Sequence, residues 1–237
     1  MKPPGRFLTA EWSNLVLFNY AVETALLEPH VPSGTELDLF EGRAYVSLIG
    51  FEFNRTRVLG VPAPLHRSFE EVNLRLYVRR GERRGVAFIR ELVPRYAVAA
   101  IARTAFGENY QCVPMTHRID ADGADTIEAE YTWGPARSRC AMRMETEGAA
   151  HLPAEGSLAQ FITEHYWGYS AQRDGGSLEY EVQHTQWPVL EARRAEFMGD
   201  TKDFYGAEFA QVLERPPDSA FFAAGSAVTV IKGTRIR

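Results

Sequence analysis

Polar side chains occupy every second position of one short stretch, at Glu71, Asn73, Arg75 and Tyr77. Side chains two residues apart on a β-strand point to the same face, so this spacing predicts a strand with one polar face. The positions between them hold valine and leucine, which predict a buried opposite face. On the polar face, a glutamate can transfer protons, and an arginine can anchor a carboxylate or phosphate through its planar guanidinium group.

The separation of the two charged groups limits what they can do. Glu71 and Arg75 are four residues apart on one strand, about 13 Å, and so cannot pair with each other. If the polar face lines a cavity, they can hold the two ends of a small polar ligand, which Asn73 and Tyr77 would orient. A dry cavity would raise the pKa of Glu71 and suit it to general acid or base catalysis. The alternative is a wet outer face with ordinary cross-strand ion pairs, and the alternation by itself leaves both open.

Three further side chains are candidates for ligand contacts. Tyr110 either donates a phenolic hydrogen bond into a cavity or is a core tyrosine. Arg103 lies on an alanine-rich segment, where it either anchors a ligand or is paired structurally. His184 either contacts a substrate or is a hydrogen-bonded structural residue. The six histidines show no metal-ligand spacing, and the motifs of serine hydrolases, P-loop NTPases and dinucleotide-binding folds are absent, so neither a metal nor a cofactor is predicted.

Most of the elements that would position these residues are strands. Alternation and turn residues predict a hairpin at 36–53 that turns at residues 41–42, strands at 69–80 and 85–93, a meander of strands at 110–118, 125–133 and 138–147, and later strands at 177–185, 189–198, 219–223 and 226–232. Short helices are predicted at 22–28, 96–106, 157–167 and 203–213. A capping pattern that begins at Ser157 marks the third of these helices.

This order of elements predicts the fold class. About ten strands against a few short helices, with no strand–helix–strand alternation, indicate a mainly β (α+β) fold. We expect a closed antiparallel β-barrel or cone with a few peripheral helices. The length of 237 residues suits a single domain over 1–237 with a substantial core.

The composition argues against several classes of partner. A net charge of −5 gives no reason to expect a nucleic-acid partner. No apolar run approaches the roughly 18–20 residues of a transmembrane helix, so no membrane partner is predicted either. The N-terminal residues do not form a secretory signal peptide, and Cys112 and Cys140 fit no disulfide or zinc pattern. A cytoplasmic protein with free thiols is the expectation.

Four stretches together resemble an uncharacterised conserved bacterial family of the acetoacetate decarboxylase-like superfamily. They are 36–46 (ELDLFEGRAYV), 71–78 (EVNLRLYV), 161–166 (FITEHY) and 184–188 (HTQWP). The resemblance spans about residues 9–197 and rests on the order and spacing of these stretches. It implies an acetoacetate decarboxylase-like domain with a cavity inside the barrel, and self-association into a homo-oligomer is plausible by analogy.

The chain resembles acetoacetate decarboxylase itself more distantly, mainly in residues 85–103. That enzyme forms a Schiff base between a lysine and its ketone substrate, and an ungapped match places Tyr110 at this lysine and Gln111 at the neighbouring lysine. Glu71 falls on one of the enzyme's active-site glutamates. The chain has only three lysines, none of them in this region. The resemblance therefore implies a retained scaffold and carboxylate without the nucleophile.

These observations favour a protein that binds a small anionic or keto-type metabolite. If it is an enzyme, it is a lyase, hydratase or isomerase that uses lysine-independent acid–base catalysis, with Glu71 as the catalytic group. The expected ligand-binding residues are Arg75, Asn73, Tyr77, Tyr110, Gln111, Arg103 and His184. The alternatives are a non-catalytic binding or sensing module that lost the Schiff-base lysine, and a structural protein with a filled barrel. Recruitment of Lys202 or Lys232 as the amine is disfavoured.

Overall fold

The fold is mainly β, and the computed structural model describes residues 5–62, 67–100, 107–121 and 126–237. Within these ranges one hydrogen-bonded sheet contains fifteen strands. The strands are β1 (Arg6–Val22), β2 (Glu36–Leu37), β3 (Ala44–Val58), β4 (Val61–Pro62), β5 (Phe69–Arg80), β6 (Arg83–Val93), β7 (Tyr110–Cys112), β8 (Met115–Ala121), β9 (Ile127–Trp133), β10 (Cys140–Thr146), β11 (Trp167–Ala171), β12 (Ser177–Gln183), β13 (Val189–Met198), β14 (Ser219–Ile231) and β15 (Thr234–Ile236). The helices are α1 (Thr24–Leu27), α2 (described at 96–100), α3 (Leu158–Thr163) and α4 (Lys202–Leu213), with 3-10 turns at Glu28–His30 and Ala136–Ser138.

The hairpin of β5 and β6 lies inside the sheet, where the alternating sequence predicts a hairpin. The chain turns through Gly81, whose φ of 58° is a left-handed conformation that glycine adopts without steric cost. On its other edge β5 pairs antiparallel with β3, from Val46 opposite Leu76 to Phe53 opposite Phe69. β3 in turn pairs with β1, and β1 pairs with β14. Both edges of β5 are therefore hydrogen-bonded along much of its length.

The order of pairing brings the sheet back on itself. From β12 it runs through β11, β6, β5, β3, β1 and β14, and β14 pairs with β12 again where Val230 lies opposite Val182. We call these seven strands the ring. The strands β13, β10, β9 and β8 continue from β14 outside the ring. The pairings are mostly antiparallel, as predicted, but β6 pairs in parallel with both β11 and β7.

The two faces of β5 pack in different surroundings. Leu74 and Leu76, with their neighbouring valines, are buried in a large apolar core that also contains side chains of β1, β3, β9, β10 and α4. This core joins the ring to the strands outside it. On the opposite face, Phe69 and Tyr77 belong to a second core, whose side chains come mainly from ring strands and from α3. The second core therefore lies on the inner side of the ring.

The long strand β1 has no counterpart among the predicted elements. Residues 15–20 of this strand are all buried. A strand that is covered on both faces shows no alternation of polar and apolar residues, so the usual sequence signal is missing. β1 nevertheless joins the two halves of the ring, because it pairs with β3 on one edge and β14 on the other.

Two other predicted elements differ in the structure. Residues 40–43 form the predicted turn, with Phe40 and Arg43 bonded to each other, but β2 pairs with β5 instead of β3. The third helix begins after Ser157, whose hydroxyl accepts a hydrogen bond from the Gln160 amide, and it ends at Thr163 instead of 167. Residue 167 is instead the first residue of β11, which pairs with β6.

The helices of the described chain are short. α4 is 12 residues long and is interrupted by Gly206, whose φ is 82°. Residues 96–100 form the described part of the helix predicted at 96–106, and the remainder lies outside the described residues. None of the helices in the described ranges has the length and apolar composition that crossing a bilayer would require.

Replacing Leu74 with alanine tests the assignment of the apolar face of β5 to the larger core. Leu74 is fully buried, so the change removes packed methyl groups and leaves a cavity. The free energy of unfolding should fall by about 2–5 kcal/mol, measured by urea denaturation followed by circular dichroism. Leu152→Ala is the matched control, because Leu152 is 56% exposed, and it should cost less than ~0.5 kcal/mol. Equal effects at the two positions would contradict the assignment.

Candidate functional site

A cavity of about 320 Å³ lies on the inner side of the ring, within the second core. Much of its wall is aromatic and consists of Trp12, Phe51, Phe53, Phe69, Phe88, Trp167 and Trp187. Its polar side chains include Glu71, Asn73, Arg75, Glu91, Glu108, Tyr110, Thr163, His165, Tyr180 and His184. An apolar cavity with a few converging polar groups is the usual form of a small-molecule site.

The strand β5 carries three polar groups into this cavity. Glu71 and Asn73 are almost fully buried, at 2% and 3% exposure, and Arg75 lines the cavity on the same face. The alternation predicts that these side chains share one face, and the structure places that face toward the cavity. Tyr77 lies on the same face but packs beside the cavity instead of lining it. Its hydroxyl donates to Ser47 Oγ at 2.5 Å.

A β-bulge in β6 brings a second glutamate to the cavity. In the pairing of β6 with β5, Ile89 is an extra residue that no residue of β5 opposes. Side chains alternate along a strand, and one extra residue shifts this alternation to the other face. Consequently both Phe88 and Glu91 line the cavity, although they are an odd number of residues apart. Glu91 is only 1% exposed.

Three glutamates, Glu71, Glu91 and Glu108, form what we call the acidic cluster. The Tyr110 hydroxyl donates to Glu71 Oε2 at 3.1 Å, and it also lies within hydrogen-bonding reach of Glu91. Asn73 Nδ2 donates to Glu71 Oε1 at 3.0 Å. A single hydroxyl proton cannot satisfy two ionised carboxylates, so Tyr110 favours a state in which one of the two carboxyls is protonated.

Glu108 completes the acidic cluster from the segment that precedes β7. It is half-buried, and the Tyr180 hydroxyl of β12 donates to its Oε1. None of the ion pairs between described residues involves a member of the acidic cluster. Across the same described ranges, no group of side chains has the arrangement of a metal site. The acidic cluster is thus held by hydroxyl and amide donors.

Burial raises the pKa of every carboxyl in the acidic cluster. It raises the pKa of Glu71 to about 7, against the opposing hydrogen bonds from Asn73 and Tyr110. Burial raises the pKa of Glu108 to about 8, and the charge of Glu71 adds to this effect. The pKa of Glu91 is raised well above its usual range by burial and then by its two carboxyl neighbours. Glu71 and Glu108 are therefore able to exchange protons near neutral pH.

His165 forms a hydrogen-bonded pair with Asp38 at another part of the cavity wall. His165 Nε2 lies 3.2 Å from Asp38 Oδ2, which also accepts a hydrogen bond from Arg84 Nε at 2.7 Å. Burial, together with the charges of the nearby arginines, lowers the pKa of His165 to about 4, against the opposing effect of its hydrogen bond with Asp38. The imidazole is therefore neutral at pH 7. Because the Asp38 carboxylate can only accept, Nε2 carries the proton, and Nδ1 is left as an acceptor.

Arg75 is held by the protein on one side of its guanidinium group. Its Nη2 donates to the Ile162 carbonyl at 3.1 Å, and its Cζ lies 5.4 Å from the centre of the Tyr77 ring. Tyr77 also packs against Phe161 and His165, with ring centres 5.2 and 4.7 Å away. Tyr77 is thus a positioning residue that supports Arg75 and His165 at the cavity wall.

Several buried polar atoms of the cavity residues have no hydrogen-bond partner among the described residues. They are Trp12 Nε1, Thr56 Oγ1, Asn73 Oδ1, Arg75 Nε, Glu91 Oε2 and His165 Nδ1. Leaving such an atom unpaired costs about 1–3 kcal/mol, so buried polar groups are usually satisfied. A polar ligand bound in this cavity would supply hydrogen-bond partners for these atoms.

The other predicted site residues lie in different places. His184 lines the cavity, half-buried, and stacks on Trp187 with ring centres 4.2 Å apart. Gln111 does not line the cavity, because it follows the inward-pointing Tyr110 on β7; it accepts a hydrogen bond from Arg90 instead. Arg103 lies outside the described residues. Of the eight predicted residues, Glu71, Asn73, Arg75, Tyr110 and His184 line one cavity.

Sequence reasoning did not single out Glu91, Glu108, Tyr180 or the pair of Asp38 and His165. Strict alternation along β6 predicts that Glu91 and Phe88 point to opposite faces. The bulge that places both on the cavity side has no signal in the sequence. The other four come from separate elements, and only the folded chain brings them together. The lysines at 202 and 232 are not among the residues that line the cavity.

Comparison with protein families gives a match over most of the chain. The family model for DUF2071, described as an uncharacterized conserved protein, matches residues 9–227. The uncharacterized protein YqjF of Bacillus subtilis (strain 168) is 28% identical over 198 residues, which cover 82% of this chain and 80% of that protein. These matches agree with the resemblance that the four sequence stretches predict.

Solved structures with a similar fold include an acetoacetate decarboxylase and an acetoacetate decarboxylase-like enzyme. An acetoacetate decarboxylase-like enzyme from Sphingomonas wittichii RW1 has a TM-score of 0.71 at 10% identity, covering 98% of this chain and 94% of that one. Acetoacetate decarboxylase from Legionella pneumophila has a TM-score of 0.67 at 13% identity, with 99% and 88% covered. The enduracididine biosynthesis enzyme MppR, complexed with pyruvate, has a TM-score of 0.70 at 13% identity, with 99% and 91% covered. At these identities the likeness shows the fold.

The raised pKa values of the acidic cluster predict a pH dependence of stability. A carboxyl whose pKa is higher in the folded than in the unfolded protein stabilises the fold at low pH, and this contribution is lost as the pH rises through the folded pKa. The free energy of unfolding should therefore fall between pH 5 and pH 9. In Glu91→Gln the fall should be smaller, because the raised pKa of the Glu91 carboxyl no longer contributes to it.

Chemical denaturation at a series of pH values measures this difference. Glu155→Gln is the matched control, because Glu155 is exposed and should leave the pH profile unchanged. A Glu91→Gln protein with the same pH profile as the unmodified protein would show that Glu91 does not titrate in this range.

Proposed function

The chain belongs to the DUF2071 family of uncharacterized conserved proteins, and on that premise we propose that it binds a small organic acid with a keto group in the cavity. We further propose that Glu71 transfers a proton to or from this ligand without a Schiff base. A lyase, hydratase or isomerase reaction is consistent with such a step. The ring of strands is interpreted as a closed barrel whose interior is the cavity.

The observation that carries the proposal is the state of Glu71. This carboxyl is 2% exposed, faces the cavity and has a pKa of about 7 because of burial. A general acid or base works best when its pKa lies near the working pH, because both protonation states are then available. Glu71 can take a proton from the carbon next to a carbonyl group, and the released electron pair then moves onto the carbonyl oxygen.

In this proposal Arg75 binds the acid group of the ligand. Its Nε is a buried donor with no partner among the described residues, while Nη2 is fixed on Ile162. A guanidinium group held on one side presents its remaining donors in a fixed direction, which suits a planar carboxylate. His165 lies in the same wall as a neutral side chain and adds no positive charge.

The fold neighbours support this class of ligand. MppR, which shares the fold, is known in complex with pyruvate, a small keto acid. In this chain the position that resembles the Schiff-base lysine holds Tyr110, whose hydroxyl bonds to Glu71. The phenol cannot form an imine, so the proposed chemistry is proton transfer alone.

A non-catalytic binding or sensing protein is the second candidate. The observation that favours it is the same replacement: the cavity is retained while no lysine of the described chain lines it. Binding of a keto acid without any proton exchange would identify this second function.

Exchange of carbon-bound hydrogen tests proton transfer by Glu71. With 2-oxobutanoate in D₂O, the protein should accelerate loss of the C3 proton signals in the NMR spectrum, and the rate should rise with pH through about 7 as Glu71 becomes a base. Glu71→Gln should lose about 10²-fold or more of this acceleration. The matched control is Glu70→Gln, because Glu70 is the preceding residue of β5 and pairs with His117 outside the cavity.

Equal exchange rates in Glu71→Gln and Glu70→Gln would remove Glu71 from the mechanism. Tight binding of 2-oxobutanoate with exchange at the buffer rate would point to the non-catalytic candidate instead.

Borohydride trapping tests the absence of imine chemistry. The protein is incubated with acetoacetate or 2-oxobutanoate, reduced with sodium borohydride and analysed by mass spectrometry. No adduct is expected, because neither Lys202 nor Lys232 lines the cavity. A stable adduct on either lysine would overturn the lysine-independent mechanism.

A further inference from the structure

We propose that the ligand is amphoteric: its acid group binds Arg75, and a protonated amine at its other end binds the acidic cluster. The inference rests on the proposed function for the Arg75 end and adds the chemistry of the opposite end. The ligand class is thus an amino-substituted organic acid, with an apolar body between the two charged groups.

The hydrogen-bonding balance of the acidic cluster calls for donors from a ligand. Three carboxyls converge there, and the donors that reach them from the described residues are the hydroxyls of Tyr110 and Tyr180 and the Asn73 amide. Among these residues, acceptor atoms therefore outnumber donors. An ammonium group brings three N–H donors and no acceptor, which is the complement of this surface.

Two buried acceptor atoms, one on Asn73 and one on Glu91 of the acidic cluster, give further support. Asn73 turns its amide nitrogen toward Glu71, and this leaves Oδ1 without a partner among the described residues. Glu91 Oε2 is likewise without one. Both residues are at least 97% buried and line the cavity. The Asn73 amide oxygen needs a hydrogen-bond donor. A protonated carboxyl supplies one only if its hydrogen points at this oxygen, whereas a ligand N–H donates to it directly.

Charge favours the same class of ligand. Removing a carboxylate from water is costly unless a cation accompanies it, and no described arginine or lysine forms an ion pair with the acidic cluster. The described side chains also lack the arrangement of a metal site. A cation brought by the ligand would let the carboxyls ionise, and the raised pKa values of Glu71 and Glu108 are consistent with sites that release protons when it binds.

The geometry of β5 sets the distance between the two ends. Glu71 and Arg75 are on one strand with backbone positions about 13 Å apart, and both line the cavity. The wall between them is largely aromatic, with Phe51, Phe69 and Phe88 among its side chains. A flexible ω-amino acid with an alkyl body is therefore a suitable probe for both ends at once.

Isothermal titration calorimetry with four probes tests the inference. The probes are 6-aminohexanoate, its uncharged relative 6-acetamidohexanoate, hexanoate and hexylamine. The protein should bind 6-aminohexanoate at least tenfold more tightly than hexanoate or 6-acetamidohexanoate. This ratio should fall close to one in Glu91→Gln and in Glu108→Gln, and it should be unchanged in the exposed control Glu155→Gln.

Proton release provides a second readout that does not depend on any variant. At pH 6, binding of 6-aminohexanoate should release about one proton as the acidic cluster ionises, whereas hexanoate should release none. Titrations in two buffers with different ionisation enthalpies measure this number.

The outcomes separate this inference from the proposed function. Equal affinity for hexanoate and 6-aminohexanoate, without proton release, would overturn the inference and leave the Arg75 site standing. Hexylamine binding as tightly as 6-aminohexanoate, with hexanoate not binding, would support the amine site and overturn the role of Arg75. Equally weak binding of all four probes would overturn the inference as well.

Discussion

The site depends on the burial of carboxyl groups that form no ion pair with a cation of the described residues. Glu71 and Glu91 are buried beside the aromatic wall of the cavity and Glu108 is half-buried there, and hydroxyl and amide donors contact the three carboxyls. Under these conditions the neutral carboxyl is favoured, and the protons of Glu71 and Glu108 become exchangeable near neutral pH. The raised pKa of Glu71, the shortage of donors among the described residues and the proposed binding of an amine all follow from this one constraint.

The end of the cavity that contains Arg75 and His165 is held by other contacts. Arg75 is fixed by the Ile162 carbonyl and the Tyr77 ring, and the hydrogen bond of Asp38 orients His165. Because α3 ends at Thr163, the chain turns there and brings residues 162–165 against the end of the polar face of β5. One strand thus connects the two ends and keeps them at a fixed separation.

The likeness to acetoacetate decarboxylase-like structures concerns the fold, and the chemistry of this cavity is its own. The sequence resemblance predicts that Tyr110 stands at the position of the Schiff-base lysine of acetoacetate decarboxylase. In this chain the Tyr110 hydroxyl donates a hydrogen bond to Glu71, and a phenol brings no positive charge to the carboxyls.

The sequence by itself determined the alternation of β5, and with it the side chains that share a face: Glu71, Asn73, Arg75 and Tyr77. It also determined the hairpin of β5 and β6 and the mainly β class, because strand periodicity and turn residues are local signals. Only the tertiary structure decided that the polar face lines a cavity, since that depends on β1, a strand buried on both faces without a periodic signal. It also decided that Glu91 points inward, because the bulge at Ile89 shifts the alternation. The acidic cluster could not be read from the chain, because its members meet only through pairings between residues far apart in sequence.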